Sequence, residues 1–296
     1  MNSKIRPRRS VLYMPGSNAR ALEKARELAA DCVILDMEDA VAPEAKELAR
    51  EQVYAVLQSG GYGRRETVVR INGLDTPWGE KDLRTMATAG ANAILLPKVE
   101  SAETIKIASH ILHDAGAPDS LALWIMAETP RGVLDLDAIV ADQPRLEVIV
   151  MGTSDLAKEM RLPATGDRAG LKHALGHCVL TARAHGLDII DGVHLALDDA
   201  KGLLDACLQG RNLGFDGKSL IHPRQIPAAN ECFGISEAEV ANAREIVSAW
   251  KAARAENRGM TVVRGQLIEQ LHVDMAERVL AIFAVMEELT RQSHPD

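Results

Sequence analysis

The sequence predicts a (β/α)8 barrel followed by extra C-terminal helices. Strand-sized apolar runs alternate with helical patterns along the first 230 residues. The runs read as continuous Val, Ile and Leu without a polar alternation, as parallel strands covered on both faces do. A doubly wound sheet usually carries a G-x-G-x-x-G turn after an early strand, and the chain has none.

The elements follow in order. Residues 10–14 form an apolar run stopped by Pro15-Gly16, and a helical pattern from about Asn18 places Leu22, Ala25 and Leu28 on one face. The unit recurs as strand 32–35 with helix 43–57, strand 67–71 with helix 78–88, and strand 93–96 with helix 102–112. Strand 121–127 precedes helix 132–140, and strand 146–150 precedes helices 154–160 and 170–185. Strand 187–190 precedes helix 200–209, and residues 214–217 supply the eighth strand. Two further helices, 237–255 and 273–289, are joined by the Gly-containing stretch 258–265. The expected organisation is a barrel over residues 1–230 and a helical extension over 231–296 that either caps the barrel or crosses to a neighbouring subunit.

Composition narrows the function. A chain of 296 residues allows two domains or one large barrel. With 47% hydrophobic and 26% charged residues it has the makings of a sizeable core. Aromatics at 3% are too few for stacking single-stranded bases, and a net charge of −8 repels phosphate backbones, so no nucleic-acid partner is expected. Cys32, Cys178, Cys207 and Cys232 lack C-x-x-C spacing and read as buried thiols of a reducing cytosol. No apolar run approaches the roughly 18 residues of a membrane helix. Lys4, Arg6, Arg8 and Arg9 read as a short solvated tail, and Pro15-Gly16 interrupts the next apolar stretch too soon for a signal peptide. A cytoplasmic protein is expected.

In a barrel, strand C-termini share one mouth, so polar residues there are candidates for chemistry. The third strand ends in Arg70-Ile71-Asn72-Gly73, where a guanidinium either holds a substrate carboxylate bidentately or pairs structurally. Glu128 follows the fifth strand and Asp155 the sixth. Two carboxylates on adjacent strand ends can share Mg2+, with water and substrate oxygens completing its octahedron. Asp155 could equally cap a helix. Asp36, Glu38 and Asp39 after the second strand either orient metal-bound waters or pair with Lys46 and Arg50. His173 and His177 lack the acidic partner of H-E-x-x-H and read as a solvated helix face. Gly217-Lys218-Ser219 looks like a phosphate-loop end, but Asn212 stands where the first glycine belongs, which rules out a Walker motif.

Together these segments resemble the citrate lyase β-subunit-like (HpcH/HpaI aldolase) family, which includes malyl-CoA, citramalyl-CoA and citryl-CoA lyases. The resemblance runs through Val11-Leu12-Tyr13-Met14-Pro15-Gly16, Ile34-Leu35-Asp36-Met37-Glu38-Asp39-Ala40-Val41-Ala42-Pro43 and Val69-Arg70-Ile71-Asn72-Gly73. It continues through Asp191-Gly192-Val193-His194 and the run from Gly214 through Lys218 and His222 to Ile226. It implies a (β/α)8 barrel that binds Mg2+ through Glu128 and Asp155 and places Arg70 on the substrate. It also sets Tyr13, Arg20, Lys24, Ile221 and His222 along the path of coenzyme A or substrate. The implied reaction is reversible cleavage of a 3-hydroxy-3-carboxyacyl-CoA to an acyl-CoA and a 2-oxo acid. Thioester hydrolysis, and action only within a citrate lyase complex, are its alternatives. The implied assembly is a homo-oligomer, a trimer or hexamer.

The resemblance also implies a tail in which glycine, an apolar pair and a catalytic aspartate serve a neighbouring subunit. Here that stretch reads Gly265-Gln266-Leu267-Ile268-Glu269, so Glu269 takes the acid/base role with a side chain longer by one methylene.

Overall fold

The computed structural model describes residues 6–163 and 167–293. Eight parallel strands pair in chain order and the eighth closes on the first. The chain enters at β1 (Ser10–Pro15) and turns into the short α1 (Ala19–Lys24), where the Asn18 side chain accepts the Ala21 N–H as its cap. Next come β2 (Cys32–Asp36) with α2 (Lys46–Ser59), β3 (Glu66–Arg70) with α3 (Gly79–Met86), and β4 (Ala93–Leu96) with α4 (Ala102–Asp114). β5 (Ala122–Ala127) leads to α5 (Pro130–Leu134) and α6 (Leu136–Val140), and β6 (Leu146–Met151) to α7 (Thr153–Glu159) and α8 (Lys172–Ala184). β7 (Asp188–Asp191) precedes α9 (Ala200–Leu213), and β8 (Gly217–Leu220) precedes α10 (Ile226–Cys232).

Alternate strand residues divide between two cores. Val11, Ile34, Val68, Leu95, Trp124, Val148 and Ile190 fill the barrel interior, while Leu12, Val33, Val69, Ile94 and Ile125 pack outward with helix residues such as Leu22, Val53 and Leu83. Burial on both faces explains why the strands show no alternation. All four cysteines are buried free thiols. Among the described residues no helix is long and apolar enough to cross a membrane.

Several expectations are corrected. The eighth strand begins at Gly217 rather than Gly214, because Gly214 at φ 98° ends α9 and the Phe215 N–H still bonds back to the Gly210 carbonyl. The helix expected at 132–140 starts at Pro130 and breaks at Asp135 into α5 and α6. Arg8 and Arg9 are not a solvated tail. The Arg8 guanidinium bonds both oxygens of Glu66 at 2.7 and 2.8 Å, also engages Asp188 and Glu147, and lies 5.2 Å from the Trp124 ring centre. Glu66 and Asp188 are the first residues of β3 and β7 and Glu147 the second of β6, so Arg8 closes the barrel floor. Arg9 pairs with Asp31 at 2.7 Å. Lys4 lies outside the described residues. Of the two histidines read as a solvated face, His173 is exposed and His177 is half-buried.

The described residues separate into two compact units, one of them the barrel from Arg8 to Phe233. The other contains α11 (Glu237–Ala255), β9 (Thr261–Val263), β10 (Gln266–Ile268) and α12 (Gln270–Ser293). The Gly-containing stretch is thus a β-hairpin, with Arg264 at φ 50° and Gly265 at φ 79° as its two-residue turn. Trp250, Val263, Ile268 and Val273 form this unit's own core.

Candidate functional site

The C-terminal ends of β2 to β6 bring the predicted acids and Arg70 to one rim. Asp36 ends β2 and Arg70 ends β3, each buried. Arg70 Nε and Nη2 donate to the two Asp36 oxygens at 2.7 Å each, and Asp36 also accepts the Glu38 N–H at 2.9 Å. Arg70 Nη1 lies 2.8 Å from Glu38 Oε2, an ion pair off the hydrogen-bond direction, and 3.7 Å from the exposed Asp39. Its guanidinium carbon sits 4.9 Å from the centre of the Tyr13 ring. Burial alone would depress the guanidinium pKa, but Asp36 and Glu38 outweigh it and hold it well above its ordinary value. Burial pushes the Tyr13 phenol upward.

The alternative partners foreseen for the β2 acids are not the ones found. Arg50 bonds the buried Asp82 at 2.6 Å, and Lys46 Nζ donates to the carbonyls of Met37 and Glu38 at 2.9 and 2.7 Å. Lys46 therefore shapes the acidic loop without neutralising its carboxylates by direct ion pairing.

Glu128, 2% exposed, follows β5, and its Oε1 accepts the Lys98 N–H at 2.7 Å. Gly152, just after β6, makes room for it. A Cβ there would fall 2.3 Å from Glu128 Cβ and 2.4 Å from Oε2. Asp155 is half-buried in the first turn of α7. It is not the cap, because Gly152 holds that position without a side-chain bond. Among the described residues no hydrogen bond or ion pair engages the Asp155 carboxylate.

Burial, with Glu38 and Asp155 nearby, pushes the Glu128 carboxyl up to about 7 against the pull of the Lys98 N–H and Arg70. A divalent cation would offset that crowding of like charge. No set of three or more His, Cys, Asp or Glu side chains forms a metal cage among the described residues. The available donors are two hard carboxylate oxygens, from Glu128 and Asp155, which fit Mg2+ with its remaining positions filled by water and substrate.

The other expected residues are more dispersed. Arg20 and Lys24 are exposed one turn apart on α1. Ile221 is 38% exposed and His222 half-buried just beyond β8. Gln225 Oε1 accepts both their N–H groups at 3.0 and 3.2 Å, while its Nε2 donates to the His194 carbonyl. Glu269 is exposed between β10 and α12, its N–H donating to His272 Nδ1 at 3.1 Å.

Sequence reading missed Lys98 and Gln225. Pro97-Lys98 directly after a strand was the available signal for the first. It also missed a buried cluster in which Asp191 bonds Lys218 Nζ at 2.8 Å and Arg168 at 2.8 and 3.0 Å. Burial would raise the Asp191 pKa, but the two cations lower it below its ordinary value.

The HpcH/HpaI aldolase/citrate lyase family model matches residues 9–223. The chain belongs to that family. The match begins beside Arg8 at the barrel floor and extends past β8 to Pro223, so it takes in every barrel strand. Within this HpcH/HpaI family, the chain is 47% identical over 281 residues to a (3S)-malyl-CoA thioesterase of Cereibacter sphaeroides, covering 95% of this chain and 96% of that one. It is 33% identical to an L-malyl-CoA/β-methylmalyl-CoA lyase of Rhodobacter capsulatus, covering 92% and 93%. A crystal structure of CitE from Mycobacterium tuberculosis with magnesium, acetoacetate and coenzyme A superposes with a TM-score of 0.72 at 29% identity, covering 93% and 97%.

Proposed function

We propose that the protein is a Mg2+-dependent enzyme that cleaves a malyl-CoA-type 3-hydroxy-3-carboxyacyl thioester. The observation carrying this reading is the buried Glu128, with no cationic side chain in hydrogen-bond contact among the described residues, beside Asp155 and Arg70 at the barrel mouth. Glu128 and Asp155 would hold Mg2+, which when bound supplies Lewis acidity toward substrate hydroxyl and carboxylate oxygens. Arg70, oriented by Asp36, offsets negative charge developing on the thioester oxygen. Tyr13 covers the guanidinium face and limits water there. Arg20 and Lys24 present cations suited to the phosphates of coenzyme A.

Two bonds of that substrate can break. Thioester hydrolysis is the first reading, supported by the 47% identity to a malyl-CoA thioesterase. Glu269 supports it too, since a longer carboxylate at the acid/base position can accept a proton from water without the tight placement that protonating a carbon requires. Carbon–carbon cleavage to acetyl-CoA or a homologue plus glyoxylate, pyruvate or oxaloacetate is the second reading, supported by the 33% identity to a malyl-CoA lyase. There Arg70 would stabilise the enolate and Glu269 protonate its carbon. Action as a homo-oligomer in the cytoplasm accompanies both readings.

Product analysis with (3S)-malyl-CoA decides. Free malate and CoA establish hydrolysis, and glyoxylate with acetyl-CoA establishes the lyase reaction. No turnover by the purified chain, with turnover restored by citrate lyase partner subunits, would establish a subunit that works only in a complex.

A further inference from the structure

The acids of the mouth fall into two classes. Asp36 is bonded to Arg70, and Glu38 lies between Arg70 Nη1 at 2.8 Å and Lys98 Nζ at 2.9 Å. Glu128 and Asp155 have no cationic side chain in hydrogen-bond contact among the described residues. Lys98 touches both classes with different atoms, its main-chain N–H on Glu128 Oε1 and its ammonium on Glu38 Oε1. It does so at φ 48°, a left-handed conformation that is strained for a residue with a Cβ and persists only where the surroundings impose it. Its side chain is 48% exposed, so core packing does not account for it.

We propose that Lys98 is a positioning residue that partitions the acidic mouth. The N–H aims Glu128, and the ammonium keeps Glu38 with Arg70 and away from the Glu128–Asp155 cation site. This inference rests on the metal reading above. Without the ammonium, Glu38 becomes a third hard oxygen donor beside the site. Mg2+ then binds more tightly, but with a carboxylate where substrate oxygens belong, so turnover falls.

The test is calorimetric titration of Mg2+ alone into the full, substrate-free chain, with kcat and KM measured alongside. Lys98→Met is expected to tighten Mg2+ about threefold to tenfold and to lower kcat. Lys98→Arg restores both values. Lys98→Gly keeps the N–H, relieves the left-handed strain and raises Tm, and also tightens Mg2+. In a Glu38→Gln background, Lys98→Met no longer tightens Mg2+, which separates restraint of Glu38 from a general loss of positive charge. Wild-type affinity in Lys98→Met and Lys98→Gly, or equal tightening in the Glu38→Gln background, overturns the proposal and leaves the metal reading intact. Absence of Mg2+ binding by the wild type overturns the metal reading and this proposal with it.

Discussion

Asp36 and Arg70 stand side by side, in register on β2 and β3, joined by two hydrogen bonds of 2.7 Å. The carboxylate fixes the plane of the guanidinium before any ligand arrives, so little ordering remains to be done on binding. Arg70→Lys loses the bidentate fit, and kcat/KM is expected to fall about tenfold to a hundredfold. Asp36→Asn should lose less while lowering Tm, because it leaves the buried Arg70 under-compensated. Steady-state kinetics and thermal melts check both, and an unchanged kcat/KM in Arg70→Lys places Arg70 outside the reaction.

Glu128→Gln and Asp155→Asn should each abolish Mg2+-dependent turnover while the far-UV spectrum stays that of the wild type, since both residues lie beyond the strands they follow. Calorimetry should detect no Mg2+ binding in Glu128→Gln. Full activity of either variant, or of the wild type in excess EDTA, contradicts the metal assignment.

The pH dependence has a definite sign. Glu128 titrates at about 7 in the metal-free fold, above its ordinary 4.5, so between those values the folded state holds a proton that the unfolded chain has released. Metal-free stability therefore falls as pH rises through that window and levels off above it. Because Mg2+ competes with the proton, the gain in Tm on adding Mg2+ should grow from pH 5 to pH 8. Melts with Mg2+ and with EDTA measure it, and an equal gain at both ends of the range refutes the assignment to Glu128.

Gly152→Ala is a steric probe of the same carboxylate. The new methyl falls on Glu128 Cβ and Oε2, so the side chain or the β6 end must move. Loss of Mg2+ affinity by more than tenfold, with a Tm lowered by several degrees, is the expected result, drawn from an overpacking cost of about 1–3 kcal/mol. Wild-type affinity would show that Glu128 has other room.

Glu269→Gln should depress turnover by about 10² to 10⁴ with little change in KM, the range general acid–base catalysis supplies. If the residue serves a neighbouring subunit, mixing inactive Glu269→Gln with inactive Glu128→Ala protein should recover activity after subunit exchange. Mixed oligomers that form yet stay inactive assign the tail to its own barrel.

The residues legible from sequence were those whose position follows from strand ends. Arg70, Glu128 and Asp155 all lie where the apolar runs stop. Their partners were harder to read, because nothing local links Asp36 to Arg70 across 34 positions or Arg8 to Asp188 across 180. Lys98 escaped notice because its role depends on a backbone angle imposed by its surroundings. The eighth strand begins three residues later than the sequence pattern predicts, because Phe215 reads as strand but serves the exit of α9. The hairpin turn went unseen because its first residue, Arg264, adopts a positive φ that arginine seldom takes.

The floor built around Arg8 also sets the order in which the nascent chain can finish. Arg8 leaves the ribosome well before Glu147 and Asp188 are synthesised, and β1 lacks its second neighbour until β8 is made. From the synthesis of β1 until that of β8 the first strand offers an unpaired edge, for much of that interval beside an arginine still short of two of its acids. A chain stalled before residue 217 would hold that edge open, a natural point of engagement for a holding chaperone.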